Sequence, residues 1–113
     1  MKADAHHRHA ESLKRAIALA RPDPTTSVAI IENAWGAAYH WISYGCIRKY
    51  QQHRDKHQGL TAYLIGLGEQ HLAQWWCNVE DVRQAGFYGN QAGESEVQEA
   101  LELLEHIRTW ATT

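Results

Sequence analysis

Between Asn78 and Asn90 the chain reads NVEDVRQAGFYGN, which sets Arg83 five residues before Tyr88, with Gly86 and Gly89 beside the tyrosine. A guanidinium suits a phosphate group, which it meets with two parallel N–H donors. Hydrolysis would also need a proton carrier, and histidine is the side chain that titrates near neutrality. No histidine stands four to six residues after Arg83. Tyrosine, which titrates near pH 10, is a poor general base in its place. One literal pair at that spacing does exist, Arg48 and His53, with four residues between them. In a chain with seven arginines and eight histidines such a spacing arises by chance, so Arg48 and His53 are weak catalytic candidates. No catalytic residue is assigned with more support than that.

The histidines also invite a metal. A di-iron bundle needs Glu-x-x-His pairs on facing helices, and none of the eight histidines has a glutamate three residues before it. His53 and His57 stand one helical turn apart, but a zinc would need a third ligand. His6, His7 and His9 read as solvated residues of a first helical turn, and His40 as a core histidine. Cys46 and Cys77 lack CxxC spacing and fall in apolar helical patterns, where a thiol is packing material. No G-x-S-x-G elbow, Walker loop or G-x-G-x-x-G is present. The expectation is therefore no metal and no cofactor.

Helices must carry these residues, because strand signals are almost absent. Asp4 caps a first helix with Ala10, Leu13, Ile17 and Ala20 spaced three and four apart, and RPDP at Arg21 to Pro24 ends it. Thr25 or Thr26 opens a long second helix, apolar nearly all round from Ile30 to Ile42, which predicts burial on more than one side. Gly36 and Gly45 within it suggest close approach of another helix. A short third helix holds Leu60, Tyr63, Leu64 and Leu67. A fourth runs from about Glu69 to Ala85, with Leu72, Trp75, Trp76, Val79 and Val82 as its stripe. GFYGNQAG reads as a loop by its glycines. Ser95 with Gln98 predicts a capping box before a final helix carrying Val97, Ala100, Leu101, Leu104, Ile107 and Ala111. The glutamates of that helix lie opposite its apolar stripe, as on a solvated face.

The expected fold class is all-α: an up-and-down four-helix bundle with one short additional helix, one domain over residues 1–113. Apolar content of 44% and charged content of 21% are ordinary for a globular protein. The net charge of -2 argues against a general nucleic-acid coat, but charge is uneven. Arg48, Lys49, Arg54 and Lys56 face one acid, Asp55, between residues 48 and 57, whereas Glu94, Glu96, Glu99, Glu102 and Glu105 cluster without a base. Without a signal-peptide run or 18 consecutive apolar residues, the expectation is a cytoplasmic protein with no membrane partner.

Taken in order, four stretches make the chain resemble the HEPN superfamily of small helical domains. AWGAAYHWISYG is similar to the family's YYAMF region, and KHQGLTAYL to the histidine–glycine segment opening its short third helix. VEDVRQAGFYG resembles the LRxxADY ending before the last loop, and ESEVQEALELLEHI its acidic-starting last helix. The resemblance spans nearly the full length; each motif alone is weak. It implies a bundle that commonly dimerises. In active members an Arg-x4-6-His motif from both subunits cleaves RNA without metal. Many members work with a nucleotidyltransferase partner as a toxin–antitoxin pair, and those lacking the histidine serve as binding modules. The family's arginine falls on Arg83, its histidine slot on Tyr88, and its Ala-Asp pair on Gly86 and Phe87, which removes an acid as well.

Three readings follow. The first is a non-catalytic HEPN-like module binding nucleotide or RNA as a homodimer, with Arg83, Tyr88, Arg48, Arg54, Lys56 and His57 as contacts. Its structural alternatives are a salt bridge from Arg83 to Glu80, Asp81 or an acid of the last helix, and Tyr88 as a plug over the bundle end. The second is a metal-independent ribonuclease using Arg48 and His53, or Arg83 with a histidine from elsewhere in the fold or partner subunit. The third is a protein–protein interaction bundle without a nucleotide ligand, whose tryptophans at 35, 41, 75, 76 and 110 form an interface.

Overall fold

The structure, a computed structural model, describes residues 3, 5–11, 26–54, 56–88 and 93–113, without the side chains of 86–88. It is all-α, with no strand among the described residues. Residues 5–11 form α1, followed by α2 (Ser27–Tyr50), α3 (Leu60–Gly66), α4 (Gln70–Tyr88) and α5 (Glu94–Thr112). Asp4, Leu13, Ile17, Ala20, the RPDP stretch and Thr25 lie outside the described residues.

The long helix α2 is the hub, packing against α5 and α4; α4 in turn packs against α5 and α3. Its buried positions Ile30, Ile31, Ala34, Ala37, Ala38, Trp41, Ile42, Gly45 and Cys46 recur at three- and four-residue steps and form a broad face. Trp41 and Trp76 are fully enclosed, in a core they share with the buried Leu60, Leu64, Leu72, Val79 and Ile107. The small residues Ala34, Ala37 and Ala38 are fully buried within this face. At Gly45 the approach is close: the Trp110 ring of α5 lies where a Cβ would stand.

Two boundaries differ from expectation. Helix α4 continues to Tyr88, three residues past Ala85, so the first part of GFYGNQAG is helical. Gly86 lowers helix propensity by about 1 kcal/mol relative to alanine without ending the helix. The capping box at Ser95 does not form. Glu94 is already helical and Gly93 is the N-cap, with no side-chain cap bond; the Gln98 amide donates instead to Glu102, 3.2 Å away. Glu94 and Glu96 nonetheless fall in the first turn of α5, where the helix dipole favours negative charge. Among the described residues no helix is long and apolar enough to cross a membrane.

Candidate functional site

Arg83 meets the rest of the fold at Trp35. On α2, Glu32 and Trp35 are three residues apart and share a face; on α4, Glu80 and Arg83 do the same. Where the two helices meet, these pairs interlock. Arg83 donates from Nε to Glu32 Oε1 at 2.7 Å, and its guanidinium carbon lies 4.1 Å from the Trp35 ring centroid. The Trp35 indole N–H donates to Glu80 Oε2 at 3.2 Å. Trp76 supports the indole from the core side, with ring centroids 5.9 Å apart. The guanidinium is thus oriented by a charge-assisted hydrogen bond and a cation–π contact together.

His57 reaches the same place from the segment between α2 and α3, its ring edge-on to Trp35 at 5.0 Å. Its position depends on a local brace. Arg54 donates from Nε to the Gln58 carbonyl at 2.8 Å, while the Arg54 carbonyl accepts from the Tyr39 hydroxyl at 3.0 Å. Gly59 follows with φ of 73°, a left-handed conformation that glycine adopts without a Cβ penalty, and α3 starts at Leu60. Between α3 and α4 lies an open groove of about 560 Å³ whose walls include His57, Gln58, Thr61, Glu80, Arg83 and Gln84. It presents a guanidinium, an imidazole, two amides and one carboxylate to solvent. That set can hold an anionic group and read neighbouring donors and acceptors.

Of the residues singled out from the sequence, Arg83 and His57 line this groove, and Arg54 does not line it but braces Gln58 of its wall. Arg48 is elsewhere: it donates to the Ala111 carbonyl at 2.5 Å, capping the end of α5, and lies 5.6 Å from the Tyr44 ring centroid. His53 packs edge-on against His6 at 5.2 Å. Lys56 is exposed. Tyr88 closes α4, and its side chain lies outside the described residues. The salt bridge weighed for Arg83 exists, but its partner is Glu32 of α2, not Glu80, Asp81 or an acid of the last helix. Glu80 is occupied by the indole, and Glu32 is brought in by helix packing.

Sequence reasoning missed Glu32, weighed Glu80 only as a salt-bridge partner of Arg83, and saw Trp35 only as core or interface. The one available signal was the three-residue spacing within each pair; nothing along the chain says that the pairs face one another. Among the described residues, no three histidine, cysteine, aspartate or glutamate side chains are placed to hold a metal. Cys46 is buried, and burial, with Glu69 nearby, pushes its thiol up to about 11, which makes it a packing residue rather than a nucleophile. No protein-family model matches the chain, and neither a curated protein nor a solved structure matches it significantly.

Proposed function

We propose that the chain is a non-catalytic binding module for nucleotide or RNA, an up-and-down four-helix bundle of HEPN type with one short additional helix. The observation that carries this reading is the groove between α3 and α4, into which Arg83 and His57 project from separate elements. Phosphate is the ligand group that matches an oriented guanidinium, and the amides of Gln58 and Gln84 and the Glu80 carboxylate suit sugar or base edges. The same reading has the module work in the cytoplasm as a homodimer, beside a nucleotidyltransferase partner in a toxin–antitoxin-type system.

Glu32 holds Arg83 against Trp35 and partly neutralises it, which gives the reading a signed test. A fluorescently labelled RNA oligonucleotide and a nucleoside triphosphate are titrated against wild type, Arg83→Ala, His57→Ala and Glu32→Gln at low salt. Losing a hydrogen bond to a charged group costs about 1.5–3 kcal/mol. Arg83→Ala should therefore weaken binding by about tenfold or more, while Glu32→Gln should strengthen it. Equal affinities for wild type and Arg83→Ala would show that the arginine is structural and overturn the reading.

One observation favours a second reading. The chain lacks a histidine soon after Arg83, yet the fold supplies His57 to the same groove. A metal-independent ribonuclease could use this composite pair. Incubating the same proteins with RNA in a chelator separates the two: cleavage by wild type that is lost in both Arg83→Ala and His57→Ala makes the protein an enzyme, and intact RNA in every lane keeps it a binding module.

A further inference from the structure

Helix α1 docks on α2 largely through imidazoles. His6 is buried, and its Nδ1 lies 2.7 Å from Nδ1 of His40 on α2. The His9 ring stands 4.2 Å from that of His40, and His6 also meets His53 at 5.2 Å. One residue along, His7 packs edge-on against Trp41 and beside Tyr44. Ala10 adds a buried methyl. His6 and His40 bring two ring nitrogens together, but among the described residues no three ligating side chains are placed to hold a metal.

Such a cluster tolerates few protons. In the Nδ1 to Nδ1 hydrogen bond one ring donates and the other accepts, so at most one of the two can be an imidazolium. A second proton removes the acceptor and sets like charges about 4–5 Å apart in a partly desolvated place. Among the described residues, His6 and His9 from α1 and Tyr39 from its own helix lie against His40, and His53 from the segment after α2 lies against His6. Arg108 of α5 is held charged chiefly by its hydrogen bond to Glu105, with Glu11 of α1 adding to that effect. The cluster is also tied to the groove. His53 and Arg54 belong to one stretch with His57 and Gln58, and the Tyr39 and Arg54 hydrogen bonds brace that stretch.

We propose that the His6–His9–His40–His53 cluster is a pH-sensitive latch, whose protonation in mildly acid solution undocks α1 from α2 and slackens the segment that carries His57 and Gln58 to the groove. Burial, then His9 and His6, lower His40 from its ordinary 6.5 to about 4. The docked state thus prefers the neutral ring. Docking is fully supported above pH 6.5 and is lost as pH falls from there toward 4, by up to a factor of about ten per pH unit for one proton.

The test is an NMR titration of the full chain from pH 7.5 to 4.5, following the amide signals of residues 5–11, Gln58 and Gly59 and the imidazole signals of His6, His9 and His40. In wild type the signals of residues 5–11 should move together toward unstructured values, with one midpoint between pH 6.5 and 4.5, and Gln58 and Gly59 should shift with them. The signals of α4 and α5 should hold, which separates undocking from unfolding. His40→Gln, which keeps a hydrogen-bonding group but cannot be charged, should abolish the shared transition. His9→Gln removes one neighbouring charge and should lower its midpoint, which decides the matter if His40→Gln is already undocked at pH 7.5. The latch is overturned if residues 5–11 stay helical and docked to pH 4.5 while each histidine titrates alone, or if both variants titrate as wild type does.

Discussion

Gly45 and Trp110 show how one atom can set the distance between two helices. The indole occupies the space of the missing Cβ, and it is fixed there by a hydrogen bond to Glu69 at 2.9 Å and by Lys49, whose ammonium lies 5.3 Å from the ring. Gly45→Ala should therefore destabilise the protein although it improves helix propensity. Overpacking costs about 1–3 kcal/mol, against a propensity gain of about 1 kcal/mol. The check is a thermal melt, with a lower midpoint expected; a higher one would mean the ring moves aside freely. The sequence pointed to close packing at this glycine, because nothing else explains a poor helix former in an apolar helix. It did not identify the indole 65 residues away that fills the space.

Glu69, in the turn between α3 and α4, ties three elements. It accepts from Tyr50 at the end of α2 at 2.5 Å and from Trp110 near the end of α5 at 2.9 Å. The donated hydrogen bond, with some burial and the carboxylate charge, pushes the Tyr50 phenol up to about 12. The neutral phenol is the favoured form in the fold, so its contribution is intact below pH 10 and is lost as pH rises toward 12. Glu69→Ala should bring the Tyr50 titration back toward its ordinary range, read from phenolate absorbance. It should also lower unfolding free energy in urea by about 1.5–3 kcal/mol or more through the lost hydrogen bonds to the carboxylate. An unchanged Tyr50 titration would show that the bond does not form in solution. Sequence reading gave Glu69 no role beyond a helix start, since its partners stand 19 residues before it and 41 after.

Across the molecule, the five tryptophans divide by depth. Trp41 and Trp76 lie in the core, whereas Trp35, Trp75 and Trp110 are partly buried and held by polar neighbours: Glu80 and Arg83, His106, and Glu69. Trp76→Ala should cost about 3–5 kcal/mol, a large share of the 5–15 kcal/mol that holds a domain folded. Trp75→Ala, at a ring stacked on His106 near the surface, should cost clearly less. Circular dichroism during urea unfolding ranks the two, and equal losses would contradict the packing described.

Helical class, the broad apolar face of α2 and the placement of α3 and α5 were legible in the sequence, because periodic burial and helix breakers are local properties of the chain. Helix ends were less so: a glycine-rich stretch was read as loop at Gly86, where α4 continues to Tyr88. The candidate groove was only half legible. Arg83 and His57 stood out by type, but the pairing of Glu32 with Arg83 joins residues 51 positions apart, and the histidine cluster joins His6 to His40 across 34. Spacing along a helix says which residues share a face. Which faces meet follows from how Trp41, Trp76 and Gly45 let the helices close on one another, and only the tertiary structure decides that.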